Sequence, residues 1–180
     1  MPNWCYNRLI IDTTTDSGKL IAKAFIPSKR GEDGNLYATP FQDLMPCPEE
    51  LRIEAGFYGE DTEKQKEMDA LYKANKEKYG YQHWYDWCYA KWGVKWDARV
   101  EDWEDEDPAE TYIYFETPWG APIDFFRYLS EQYPDARFED EYDEEGMQFE
   151  GKVGVSDIGF FDESWDMDAE EQWEEEHGQA

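Results

Sequence analysis

Basic residues are few: 17 Lys and Arg stand against 44 Asp and Glu among 180 residues, a formal charge of −27. A surface of that sign repels phosphate backbones and anionic membranes, so direct binding of nucleic acid or lipid is excluded as a first reading. Long apolar runs are also missing. No stretch approaches the roughly 18 consecutive apolar residues that a membrane span needs. The start, Met1-Pro2-Asn3-Trp4-Cys5, lacks the basic and then apolar regions of a signal peptide, which leads us to expect a cytoplasmic protein. The three cysteines, Cys5, Cys47 and Cys88, are odd in number and widely spaced. They match neither a disulfide framework nor a zinc pattern and read as reduced and inert. Neither Glu101–Asp107 nor Asp162–Glu170 has the spacing of a calcium-binding loop, so no metal and no cofactor are expected. His83, Asp86 and Cys88 share one helical stretch, but a histidine and a cysteine five residues apart on a helix point in different directions. No catalytic relay follows, and the chain does not read as an enzyme.

Aromatic residues, by contrast, are abundant at 18%. A disordered chain is depleted in them, so a packed core is expected, and the length fits one domain with a generous insertion. Charge is unevenly placed. Residues 1–100 hold 14 bases against 16 acids, a net of −2, whereas residues 101–180 hold 3 bases against 28 acids, a net of −25. Dense runs lie at Glu101–Glu110, at Glu139–Glu145 and from Asp162 to Glu176. Such runs are commonly solvated faces that confer solubility, and that reading stands beside any functional one.

Period and punctuation predict the elements. Cys5–Asp12 alternates like a half-buried strand, Asp16-Ser17-Gly18 offers a helix start, and Pro27 stops that helix. A long intermediate region at about 27–93 carries helical patterns at roughly 62–78 and 82–92. Strands are expected at Val94–Val100, Tyr112–Thr117 and Ala136–Tyr142, with a helix at Pro122–Tyr133 and the acidic run 101–110 as a loop. A further strand through Met147, Phe149, Val153 and Val155 should close a hairpin across Asp143–Gly146. The order β-α-(insertion)-β-β-α-β is that of the α+β, ferredoxin-like split β-α-β fold, an antiparallel sheet with helices on one face. The expected division is residues 1–157 for this domain and 158–180 for an acidic amphipathic segment. In that segment Phe161, Trp165, Ala169 and Trp173 recur every four residues, predicting an acidic C-terminal helix with an apolar stripe.

Several segments carry a resemblance. They are Pro2-Asn3-Trp4-Cys5-x-Asn7-x-Leu9-x-Ile11, Pro46-x-Pro48-x-Glu50-Leu51, the aromatic block from Tyr79-Gly80-Tyr81 to Trp96-Asp97-Ala98, and Phe115-x-Thr117-x-Trp119-x-x-Pro122. Together, over about residues 1–142, they make the chain resemble the YubB-type ferredoxin-like family of phage and plasmid proteins. The resemblance implies a ferredoxin-like fold and a mobile element in a host bacterial cell. It carries over no activity and no catalytic residues.

Three function classes remain, the last of them a structural or accessory phage protein with no separate ligand. In the first, the acidic half imitates the charge of nucleic acid and occupies the basic surface of a host DNA-binding or defence enzyme. Nine carboxylates over about 15 helical residues give roughly one charge per 2.5 Å at 1.5 Å rise, against about one per 1.7 Å for duplex DNA. The residues expected to touch that partner are Glu101, Asp102, Glu104, Asp105, Glu106, Asp107, Trp165, Glu170, Glu171, Trp173, Glu174 and Glu175. In the second, the insertion holds a small nucleotide by stacking and positive charge, using Trp84, Trp87, Lys91, Lys95, Trp96, Arg99 and Trp119. On helical spacing Tyr81, Trp84, Tyr85, Cys88 and Trp92 share a core face, leaving Trp87 for the rim. The first reading is the leading expectation; aromatic stripes on helices are more often core than pocket.

Overall fold

The computed structural model describes residues 3–54, 56–60 and 62–167. The first strand, β1 (Trp4–Asp12), buries Cys5, Asn7, Leu9 and Ile11 on one face, as its alternation requires. Helix α1 (Asp16–Phe25) follows, capped by Thr15, whose hydroxyl accepts the Gly18 N–H at 3.0 Å. The cap is thus one residue earlier than the sequence indicated. The insertion comes next: a short hairpin of β2 (Lys29–Arg30) and β3 (Leu36–Tyr37), α2 (Pro40–Leu44), a 3-10 turn at Glu49–Leu51, α3 (Glu63–Tyr79) and α4 (Trp84–Trp92). Both α3 and α4 end on left-handed glycines, Gly80 and Gly93, with φ of 82° and 80°. The chain then returns to the sheet through β4 (Arg99–Glu104), β5 (Glu110–Pro118), α5 (Ile123–Gln132), β6 (Phe138–Glu144), β7 (Phe149–Ser156) and β8 (Gly159–Asp166).

The six long strands form one antiparallel sheet in the order β4-β5-β1-β6-β7-β8. Its first four members, with α1 and α5, have the ferredoxin-like order, and β7 and β8 extend it. One face is covered by α1 and α5, where Leu9, Ile11, Ile21, Phe25, Ile113, Phe115, Phe125, Phe126 and Leu129 are almost wholly buried. Asn7 is the polar pin of that core. Its amide donates to the carbonyls of Cys5 and Phe115 at 2.9 and 3.3 Å and to the Thr117 hydroxyl at 2.9 Å, tying β1 to β5.

Three expectations about elements are corrected. The strand after the insertion begins at Arg99, not Val94, because Asp97 turns back to cap α2, accepting the N–H groups of Phe41 and Gln42 at 2.9 Å each. Glu101–Glu104 therefore lies in an edge strand rather than a loop, where outward carboxylates are tolerated and discourage edge-to-edge pairing. Phe161 and Trp165 belong to strand β8, not to a helix: β8 pairs along its whole length with β7, from Ser156 opposite Gly159 to Phe149 opposite Asp166. A four-residue recurrence is a multiple of the strand period as well as near the helical one, so Phe161, Glu163 and Trp165 share a sheet face. The remainder of the predicted helix, with Ala169, Glu170, Glu171, Trp173, Glu174 and Glu175, lies outside the described residues.

Candidate functional site

The insertion and the residues just after it line an open cavity of about 640 Å³. Its walls are local products of the sequence. Lys29 and Tyr37 come from the β2–β3 hairpin, Thr39 and Gln42 from the entry and body of α2, and Cys47, Arg52, Ile53 and Glu54 from the strap that follows. Trp84, Cys88 and Trp92 project from α4 at helical spacing, and Lys95, Trp96 and Asp97 close the rim. The strap is fixed to α4 by the Trp92 indole, which donates to the Met45 carbonyl at 3.1 Å.

The electrostatics of the cavity run against those of the molecule. Three cations, Lys29, Arg52 and Lys95, face two carboxylates, Glu54 and Asp97, in a chain of formal charge −27. Lys29 bonds to the Thr39 hydroxyl and Asp43. Among the described residues Arg52 has the distant Glu49, at 3.6 Å, as its ionic partner, and the Lys95 ammonium lies 4.5 Å from the Trp96 ring centre and 5.3 Å from that of Tyr85. Burial pushes the Asp97 carboxyl up to about 6, against the pull of three backbone donors, those of Phe41, Gln42 and Ala98. Near pH 6 the lining thus gains positive character. A concave site of this size, with aromatic walls and a few converging polar groups, is the usual form of a small-ligand pocket.

Of the ligand residues expected from sequence, the structure brings Trp84, Lys95 and Trp96 together in this cavity and sets the others apart. Trp87 is core, not rim: it is 7% exposed and meets Trp92 edge-on with ring centres 5.6 Å apart. Tyr85, expected in the core, is exposed instead. The helix is rotated relative to the simple stripe because it packs against α5 and the strap at once. Lys91 is not part of the lining. Arg99 is on the sheet, bound to Glu101 at 2.7 Å and Glu116 at 3.1 Å and stacked over Trp4. Trp119 occupies a left-handed turn, φ 72°, after β5. Lys29, Arg52 and Cys47 were missed, since nothing in local sequence ties the hairpin and strap to α4; the Pro46-x-Pro48 signature was the one available hint.

The second candidate surface is the sheet face that none of the described helices covers. Register places Asp102 and Glu104 of β4 beside Tyr114 and Tyr112 of β5, Glu139, Glu141 and Asp143 on β6, Glu150 and Lys152 on β7, and Glu163 and Trp165 on β8. Strands are about 4.8 Å apart, so these carboxylates form an array rather than a line. Arg8 and Lys152 both reach Glu141, at 2.9 and 2.7 Å, and hold its carboxyl below the usual range. Asp143 has no such relief: burial first, then Glu145, Glu150 and Glu144, push its carboxyl up. Trp165 lies down on this face, its indole donating to Glu150 at 2.5 Å. At the β4 edge, Glu104, Asp105, Glu106 and Asp107 surround a groove floored by Trp103 and Tyr112. Asp102 and Asp107 also bond to the backbone N–H groups of Trp103 and Ala109, so part of this run shapes its own loop.

Among the described residues no helix is long and apolar enough to cross a membrane. Residues 91–179 match a family model described as the ferredoxin-like domain in Api92-like protein. The crystal structure of a protein api92 from Yersinia pseudotuberculosis is similar, with a TM-score of 0.50 and 11% identity, over 92% of this chain and 98% of that one. At that identity the likeness is one of fold alone. No curated protein matches the chain. Most of the cavity lining, from Lys29 to Trp84 and Cys88, precedes the matched segment.

Proposed function

We propose that this chain binds a small planar anion of the nucleotide class in the cavity of its insertion, as a binding protein rather than a catalyst. The observation that carries this reading is the convergence of Lys29, Arg52 and Lys95 with Trp84, Trp92 and Trp96 at one concavity of a strongly acidic protein. The rings supply stacking, about 1–3 kcal/mol per base. Arg52, loosely paired, supplies the fork for a phosphate. Titration of the full chain with adenosine and guanosine mono-, di- and triphosphates should give saturable quenching of tryptophan fluorescence. Arg52→Ala should weaken the tightest of these by roughly 10- to 100-fold, the equivalent of about 1.5–3 kcal/mol for a charge-assisted hydrogen bond. Absence of saturable quenching across the panel, or quenching indifferent to both Arg52→Ala and Trp96→Ala, would sink the reading.

The open acidic face favours a second reading, in which the protein imitates nucleic acid toward a basic host DNA-binding or defence enzyme. Its residence on a phage or plasmid and its work in the bacterial cytoplasm belong to that proposal. Carboxylates arrayed across six strands would speed encounter with a basic cleft and lose affinity as salt rises. A captured partner should be displaced by duplex DNA and by high salt, and a variant with Glu101, Asp102, Glu104 and Glu139 changed to their amides should retain it at least about tenfold less well. Capture that duplex DNA does not compete away, or that survives the amide variant unchanged, would show the acids to be a solvated face only.

A further inference from the structure

Of the three free cysteines, Cys5 lies in β1 under the helices, where burial and then the charges of Asp140, Asp143 and Glu144 push its thiol far up. The other two are placed differently. Cys47 and Cys88 both line the cavity, one from the strap and one from α4. Their meeting is built by backbone anchors. Cys47 stands between Pro46 and Pro48 with its N–H on the Gln42 side-chain carbonyl at 3.1 Å. Two residues earlier the Met45 carbonyl accepts the Trp92 indole. Cys88 is one helical turn before Trp92 and so lies on the same face. The contact that fixes the strap to α4 therefore also brings the two thiols to the same cavity wall, close enough for each to perturb the other; the Cys47 thiol also donates to the Pro48 carbonyl at 3.8 Å.

We infer that Cys47 and Cys88 form a reversible two-electron thiol–disulfide site in the cavity wall, with a peroxide as its oxidant. The roles of the two sulfurs differ. The neighbouring Cys88 thiol, and behind it the charge of Arg52, lower the Cys47 thiol against burial and Glu49, whereas Cys47 and burial raise Cys88. Cys47, which the strap holds in the cavity wall together with Arg52, is the attacking sulfur. Its thiolate takes one oxygen of hydrogen peroxide as the O–O bond breaks, and the hydroxide released accepts the proton Cys47 gave up, leaving a sulfenic acid and one water. The Cys88 sulfur then attacks the sulfenic sulfur; the S–O bond breaks, and hydroxide departs with the Cys88 proton as a second water. Two thiols and one peroxide become one disulfide and two waters. The bond would lock the strap to α4 along the cavity wall.

This inference does not depend on the ligand proposed above, and its test needs none. The full chain is treated with stoichiometric hydrogen peroxide, alkylated, and mapped as peptides without reduction. The Cys47 and Cys88 peptides should appear joined, minus two hydrogens, and separate again after dithiothreitol. Cys5 should be lost at least about tenfold more slowly than Cys47. In Cys88→Ser, Cys47 should stop at the sulfenic acid and be trapped by dimedone; in Cys47→Ser, Cys88 should stay a thiol. Loss of Cys47 without linkage to Cys88, links only between molecules, equal loss of Cys5, or three thiols unchanged at excess peroxide would each overturn the assignment.

Discussion

Replacing Asp140 with valine should stabilise the protein, and by more at neutral pH than at acid pH. Asp140 sits in the middle of β6, 0% exposed, between Leu9 of β1 and Val153 of β7. Among the described residues neither of its carboxyl oxygens finds a hydrogen-bond partner. Burial, and secondarily the charge of Glu141, raise its carboxyl well above the ordinary range. The folded state consequently holds a proton that the unfolded chain releases near pH 4. Stability from this group is fully present below that pH and declines as pH rises toward the folded value, by up to about 1.4 kcal/mol per pH unit. Valine suits a strand and the apolar neighbours, and removes both the unsatisfied group and its proton. Urea unfolding at pH 7 should show a gain of about 1–3 kcal/mol, with the gap to the wild type narrowing as pH falls to 4. Asp140→Asn keeps the shape but not the proton, so it should abolish the pH dependence of this group while leaving an orphaned polar side chain. A valine variant less stable than wild type at pH 7 would mean that Asp140 has a partner or a task that the core packing does not reveal.

Gly18→Ala should have the opposite sign to the usual glycine-to-alanine change in a helix. In an exposed helix interior, alanine is better than glycine by about 1 kcal/mol. Gly18 is buried in the first turn of α1, and a methyl group there would collide with the backbone carbonyl of Asp12 at the end of β1, an atom that no rotamer change can move away. The first turn would have to lift off the strand, pulling the Thr15 cap and the Ile21 and Phe25 contacts with it. We expect a loss of about 2–4 kcal/mol in urea unfolding, a size typical of overpacking against an unyielding neighbour. A neutral or stabilising result would show that α1 can slide along the sheet at little cost.

Both effects come from close packing around β1. Trp4 meets Trp96 at the end of the cavity rim, with ring centres 6.5 Å apart; Asn7 ties β1 to β5; Leu9 and Ile11 fill the core. The Pro46-x-Pro48 segment, in turn, holds the strap that carries Cys47 and Arg52 into the cavity. Read as a linear string, the three cysteines are unremarkable and the cations are outnumbered. Folding sorts them: acids of β4, β6, β7 and β8 gather on an open sheet face and its edge, while Lys29, Arg52 and Lys95, which span 66 positions of chain, meet in one concavity.

Alternation and punctuation were enough to determine the ferredoxin-like core, because strand and helix periods, glycine caps and proline stops act over a few residues. The acidity and its concentration after residue 100 were likewise readable directly. Three things were decided only by the tertiary structure. The chain from Phe161 to Trp165 became a strand because β7 offered an unpaired edge, and an even spacing serves a strand as well as a helix. Trp87 exchanged places with Tyr85 because α4 packs on two surfaces rather than one. The cavity, with its cations and its pair of thiols, arose from contacts between segments far apart in sequence, which no local period encodes.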